Sequence, residues 1–122
     1  MSEKLTDQQL IALMGEAAFI AFAEAFGGRR LYVPTVIGAD HEIAKAIGAD
    51  AARHLSERVS PDVIRVPLAR DIRARHYRAA GLSNGKIASR LGITEPAVNR
   101  MFARMNDVPV KGSAAQLSFL PE

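Results

Sequence analysis

The 122-residue sequence contains no cysteine and no tryptophan. Without cysteine there is neither a disulfide framework nor a thiolate metal site. Histidine is scarce too: His41, His54 and His76 fall on three separate segments, and no H-E-x-x-H or similarly spaced ligand pair occurs. No apolar run approaches the roughly eighteen residues of a membrane span. The opening residues, MSEKLTDQQL, are polar and acidic where a secretory leader is basic and then apolar. These absences predict a cytoplasmic protein without metal, cofactor or membrane contact. An apolar share of 48% and a charged share of 24% are those of a globular chain. Its length allows one or two small domains.

Acidic residues are missing from one part of the chain. Residues 65–105 hold nine Lys/Arg against only Asp71 and Glu95, a net +7, whereas residues 1–64 hold six against nine. The last seventeen residues hold one base and two acids. A segregated basic block is the electrostatic footprint of a phosphate-binding surface, because each Lys or Arg placed at a phosphate releases condensed counterions.

The same block contains a two-helix pattern, AGLSNGKIASRLGITEPAVNRMFAR, from Ala80 to Arg104. Ser83 is an N-cap for a short helix through Leu91, with Ile87, Ala88 and Leu91 facing inward. Gly92 closes that helix, since a residue without Cβ takes the left-handed conformation cheaply. Ile93 fills the corner, Thr94 caps a second helix, and Pro96 sits in its first turn, where a missing N–H costs nothing. Val98, Met101 and Phe102 form the inward face. An ordinary αα-hairpin shares this outline, but agreement at about seven positions inside the basic block favours a DNA-binding helix-turn-helix. A preceding basic helix from Leu68, with Ile72, His76 and Ala79–Ala80 on one side, is its support.

Upstream, a first helix is expected from Thr6, its N-cap, to Phe26, ended by Gly27 and Gly28. Its apolar residues cover most of the circumference, so it needs cover on more than one side. RRLYVPTV then reads as a short edge strand, with Leu31 and Val33 on one face and Arg30 and Tyr32 on the other. A shift of 33 residues superposes Gln9–Pro34 on Glu42–Pro67 without a gap. Gly15 meets Gly48, Glu24 meets Glu57, and Val33-Pro34 meets Val66-Pro67; Asp7 and Asp40 each stand where a cap is needed. Two helix-strand units are therefore expected, 7–34 and 40–67, with strands Arg30–Pro34 and Val63–Pro67.

Catalytic chemistry finds no support. Asp50 and His54 lie at i and i+4, a pair more often structural than catalytic. Ser83 has no partner base, and the glycine pairs match no phosphate loop. An enzyme is not expected. The tail, residues 107–122, has loop composition and ends on Leu117, Phe119 and Leu120, either disordered or a short docking motif.

The segment FGGRRLYVP, followed by the C-terminal two-helix pattern, resembles the Mor/C family of phage (Mu-like) transcription activators. Gly27, Gly28, Tyr32 and Pro34 match its strand motif; Ile87, Ala88, Leu91, Gly92 and Arg100 match its DNA-binding part. The resemblance covers the first helix and strand, then residues 68–105. It implies a regulator that binds promoter DNA as a dimer and helps recruit host RNA polymerase. The extra helix-strand unit, with Ser60, Pro61 and Asp62 in place of the glycines, departs from the short form. The expected fold is mainly α with short β-strands: a dimerisation region, residues 1–67, then a helix-turn-helix domain, residues 68–106. A phage DNA-packaging protein like a small terminase, or a recombination accessory factor, is the alternative; a protein-interaction module without nucleic acid is a third.

Roles follow from helical geometry. Thr94, Glu95, Pro96, Asn99, Arg100 and Ala103 are expected to face the DNA bases, with Arg100 forking to guanine and Asn99 pairing with adenine. Arg73, Ser83, Lys86, Arg90 and Arg104 are expected on the DNA backbone. A homodimer is expected to centre on Leu13, Ala17, Phe22, Leu31 and Val33, unless the two units of one chain satisfy each other.

Overall fold

Thr6 starts the first helix by a reciprocal cap: its hydroxyl accepts from the Gln9 amide at 3.1 Å, and the Gln9 side-chain oxygen accepts from the Thr6 amide at 2.8 Å. In this computed structural model, residues 5–105 and 108–112 are described. Among the described residues the chain is mainly helical with one two-stranded antiparallel sheet. It divides into two units, residues 1–69 and 70–122. Among the described residues no single helix is long and apolar enough to cross a membrane.

Helix α1 (Asp7–Met14) stops at Gly15, and α2 (Glu16–Phe26) leaves at 119° to it. The single helix expected from Thr6 to Phe26 is thus two. Gly15 has φ 88° and ψ 156°, a region open essentially to glycine alone. The second half repeats the device. α3 (Glu42–Ile47) ends at Gly48, with φ 91° and ψ 161°, and α4 (Ala49–Val59) follows. His41, rather than Asp40, caps α3: its Nδ1 accepts from the Ile43 amide at 3.1 Å. Likewise Thr6, not Asp7, caps α1.

Strand β1 (Arg30–Val33) pairs antiparallel with β2 (Asp62–Arg65), which begins and ends earlier than the expected Val63–Pro67. The register explains the difference. Leu31 lies opposite Ile64, its own equivalent in the repeat, so the ladder is centred on an approximate twofold axis between the halves. Helices follow the same symmetry, α1 packing on α4 and α2 on α3. Phe19, Phe22, Val33, Ile43, Leu55 and Val66 are fully buried as a result. Burial of each large side chain stabilises by about 1.5–3 kcal/mol. The strands pair within one chain, and the apolar helix finds its cover there.

In the second unit, α5 (Arg70–Ala79), α6 (Asn84–Leu91) and α7 (Glu95–Arg104) pack in sequence, α5 on α6 and α6 on α7. The buried side of α5 is Arg73, Ala74 and Tyr77. Ile72, His76 and Ala79, expected inward, are half-buried, and Ala80 is exposed. Arg73 and Tyr77 can lie inside because they satisfy each other one turn apart: Arg73 Nε donates to the Tyr77 hydroxyl at 3.2 Å.

A Cβ added at Gly15 or Gly48 meets nothing within 4 Å, so substitution there tests the backbone alone. Gly15→Ala and Gly48→Ala should each lower unfolding free energy by about 1–3 kcal/mol, measured by urea denaturation. No loss at either position would contradict the two-kink architecture.

Candidate nucleic-acid interface

Helix α6 is fixed at both ends. The Ser83 hydroxyl accepts from the Lys86 amide at 3.3 Å. At the other end Gly92 is left-handed (φ 71°, ψ 32°); its amide donates to Ser89 O at 3.3 Å, and Ile93 N donates to Ala88 O at 3.0 Å. That bond pair is the Schellman closure, which satisfies two end carbonyls and sets the exit direction of the chain. Two residues on, the Thr94 hydroxyl accepts from the Ala97 amide at 3.2 Å and starts α7, with Pro96 in the first turn. Ile87, Ala88, Leu91, Val98 and Met101 are buried as the spacing predicts; Ile93 and Phe102 are half-buried. The Arg78 guanidinium lies 5.0 Å over the Phe102 ring.

The opposite side of α7 is open. Thr94, Glu95, Pro96, Asn99, Arg100 and Ala103 are all exposed, as are Ser83, Lys86, Arg90 and Arg104. The unit therefore presents a helix face carrying hydrogen-bonding groups, bordered by cations and backed by an apolar wedge. In the tail, Gly112 N donates to Arg78 O at 2.9 Å, so residues 108–112 return to α5. Leu117, Phe119 and Leu120 lie outside the described residues.

Arg73 departs from its expected place. It is only 6% exposed, donates from Nη2 to Arg90 O at 2.9 Å as well as to Tyr77, and stands over the Tyr77 ring. A guanidinium so placed closes the C-terminal turn of α6 and is withdrawn from any backbone of DNA. Arg90 is exposed, and its own guanidinium sits 5.4 Å from the Tyr77 ring centroid, which holds the side chain against the unit.

Asn84 is a residue the sequence reading did not single out. Its Nδ2 donates to Asn99 Oδ1 on α7, while its own Oδ1 is covered and lacks a partner. Leaving a buried acceptor unpaired costs about 1–3 kcal/mol. No signal in the sequence marks this contact, because it depends on how closely the first turns of α6 and α7 approach. The nearby Glu95 carboxylate, 3.7 Å from where a Cβ on Gly85 would stand, shows the same closeness.

Comparison with protein families, with curated proteins and with solved structures finds no match in any of the three.

In the first unit, the outer face of the sheet exposes Arg30, Tyr32, Val63 and Arg65. Arg30 and Arg65 are directly opposed across the strands, an arrangement that like charges disfavour. Phe22, Leu31 and Val33, expected at an interface between copies, are buried within this unit. Of that set Leu13 is half-buried and Ala17 exposed. Asp50 pairs with Arg53 at 3.8 Å, and Arg53 with Glu57 at 3.8 Å, along the surface of α4. Among the described residues no group of three His, Asp or Glu is placed to hold a metal ion.

Replacing Arg73 by Ala should therefore cost stability, about 2 kcal/mol for a lost charged hydrogen bond, in a urea titration. A variant of unchanged stability would mean that the buried guanidinium does not hold α6.

Proposed function

We propose that the chain is a sequence-specific double-stranded-DNA-binding transcription regulator, of the kind the Mor/C resemblance implies, with α6 and α7 as its helix-turn-helix. The observation that carries the reading is the exposed row Glu95, Asn99, Arg100 and Ala103 on α7, continued by its cap Thr94, inside the one strongly basic stretch of the chain. A helix of this diameter fits the DNA major groove, where each base pair shows a distinct donor and acceptor pattern. Arg100 supplies a fork for guanine O6 and N7. Lys86, Arg90 and Arg104, with the Ser83 hydroxyl, supply backbone contacts. The opposed Arg30 and Arg65 beside Tyr32 add a second anion-seeking surface, because an anion between them relieves their repulsion. Recruitment of RNA polymerase, and hence activation, rests on the resemblance.

Specific recognition needs more base contacts than one helix offers, so two copies are proposed to act about one DNA turn (roughly 34 Å) apart. With Phe22, Leu31 and Val33 committed inside each copy, the contact between copies falls to the surface around Leu13 and Ala17, which line grooves beside α4.

Selection from a randomised duplex pool tests the reading. The wild type should retain a consensus, and Arg100→Ala should relax it at one or two positions, each worth about 1–3 kcal/mol of discrimination. Lys86→Ala and Arg90→Ala should leave the consensus intact and reduce the slope of log affinity against log salt by about 0.9 each. Absence of any consensus, or of any salt dependence, would falsify the proposal.

Sedimentation separates the assembly from the fold. Ala17→Glu should give folded single copies, whereas Phe22→Glu should unfold the first unit at every concentration. A wild type that stays a single copy at micromolar concentration and binds its site alone would remove the homodimer and leave DNA binding standing.

A further inference from the structure

We infer that Asn84 is a positioning residue that fixes which edge of Asn99 is offered to a base, and so sets the base preference of that position. The inference rests on the DNA-binding reading and deepens it. Asn84 is the first residue of α6 and Asn99 lies on the exposed side of α7. The bond between them joins the two helices: Asn84 Nδ2 donates to Asn99 Oδ1.

A free asparagine on a recognition helix has two faces to offer, an oxygen that accepts and an NH2 that donates, and uses both in the bidentate pair with adenine. Here the oxygen of Asn99 is engaged from behind. The NH2 remains free to turn outward, so Asn99 acts toward DNA as a donor. Donors are satisfied by guanine, which shows O6 and N7 in the major groove, by thymine O4 and by adenine N7. Cytosine shows only its N4 amino donor there and leaves the Asn99 NH2 without an acceptor. The bidentate adenine pairing expected from residue type alone is reduced to a single contact at N7, and guanine, thymine and adenine are all preferred over cytosine.

Asn84 is suited to nothing else in view. Its Oδ1 is covered and unpartnered, so the side chain is held at a cost in stability, and its one side-chain hydrogen bond among the described residues goes to Asn99. An alanine at the start of α6 would avoid that cost. A residue kept where it weakens the fold, with a single polar contact to a base-facing side chain, is accounted for by that contact.

Asn84→Asp is the decisive variant. Aspartate has nearly the same shape but only accepts, so Asn99 must turn its NH2 inward and present Oδ1 to the DNA. It also suits the first turn of a helix, where negative charge is favourable, which protects the fold. Asn84→Ala, the second variant, leaves Asn99 free to rotate. The assay is selection from a randomised duplex pool, with the position read by Asn99 defined as the one that loses preference in Asn99→Ala. The wild type should favour guanine over cytosine there by about fivefold. Asn84→Asp should reverse that order, and Asn84→Ala should move the preference to adenine. Repulsion of DNA by the new carboxylate weakens all sequences alike and cancels in the ratio.

An unchanged ratio in both variants, a wild type that favours cytosine, or a consensus with no position dependent on Asn99 overturns the inference while leaving DNA binding in place. A wild type that selects no consensus at all sinks both.

Discussion

The first unit depends on one constraint: α2 carries more apolar surface than its own half of the chain can cover. Phe19, Ile20, Phe22, Ala23 and Phe26 are buried on a helix of eleven residues. One neighbouring helix and one four-residue strand do not enclose such a face. The second half answers with the same backbone plan, α3 against α2 and α4 against α1, and the strands close the arrangement by pairing at Leu31 and Ile64. Two strands alone are marginal in water, so the sheet is held by the helices more than it holds them. The kinks at Gly15 and Gly48 make the crossing possible, because a straight helix from Thr6 to Phe26 would carry α1 away from α4.

The second unit solves the opposite problem. Its helices are short and mostly polar outside, and a small apolar core holds them: Ala74, Tyr77, Ile87, Ala88, Leu91, Val98 and Met101. Precision comes from the ends, through the Ser83 and Thr94 caps and the closure at Gly92, and from Arg73, which ties α5 to the last turn of α6. Capping and a buried guanidinium leave most of the outer face of α7 free of structural duty, Asn99 excepted, which accepts from Asn84. A helix with an exposed polar face and cations along its borders is what groove recognition requires.

Legibility differed between the two units for physical reasons. α6, the turn and α7 could be read almost residue by residue, because Ser83, Gly92, Thr94 and Pro96 act locally and each has one mechanical use. The repeat was also legible, and with it the alternation of Leu31 and Val33 against Arg30 and Tyr32. The break at Gly15 was not read, since apolar periodicity runs through it and a glycine inside a helix costs only about 1 kcal/mol. Its coincidence with Gly48 was the available signal: a glycine recurring at one place in a repeat marks a backbone position. Arg73 was misread because charge points outward on average, and only the nearness of Arg90 O and Tyr77 reverses that. Phe22, Leu31 and Val33 were rightly identified as needing cover; the covering surface came from the same chain. Asn84 could not be found at all, since the approach of two helix starts is a tertiary distance.

The central claim is that α7 reads the major groove of duplex DNA, and methylation interference on the selected site tests it most directly. Guanine N7 lies in the major groove and adenine N3 in the minor groove. The account predicts that N7 methylation of guanines within the site abolishes binding, and that Arg100→Ala removes this sensitivity at one guanine. Binding indifferent to N7 methylation throughout the site would contradict it.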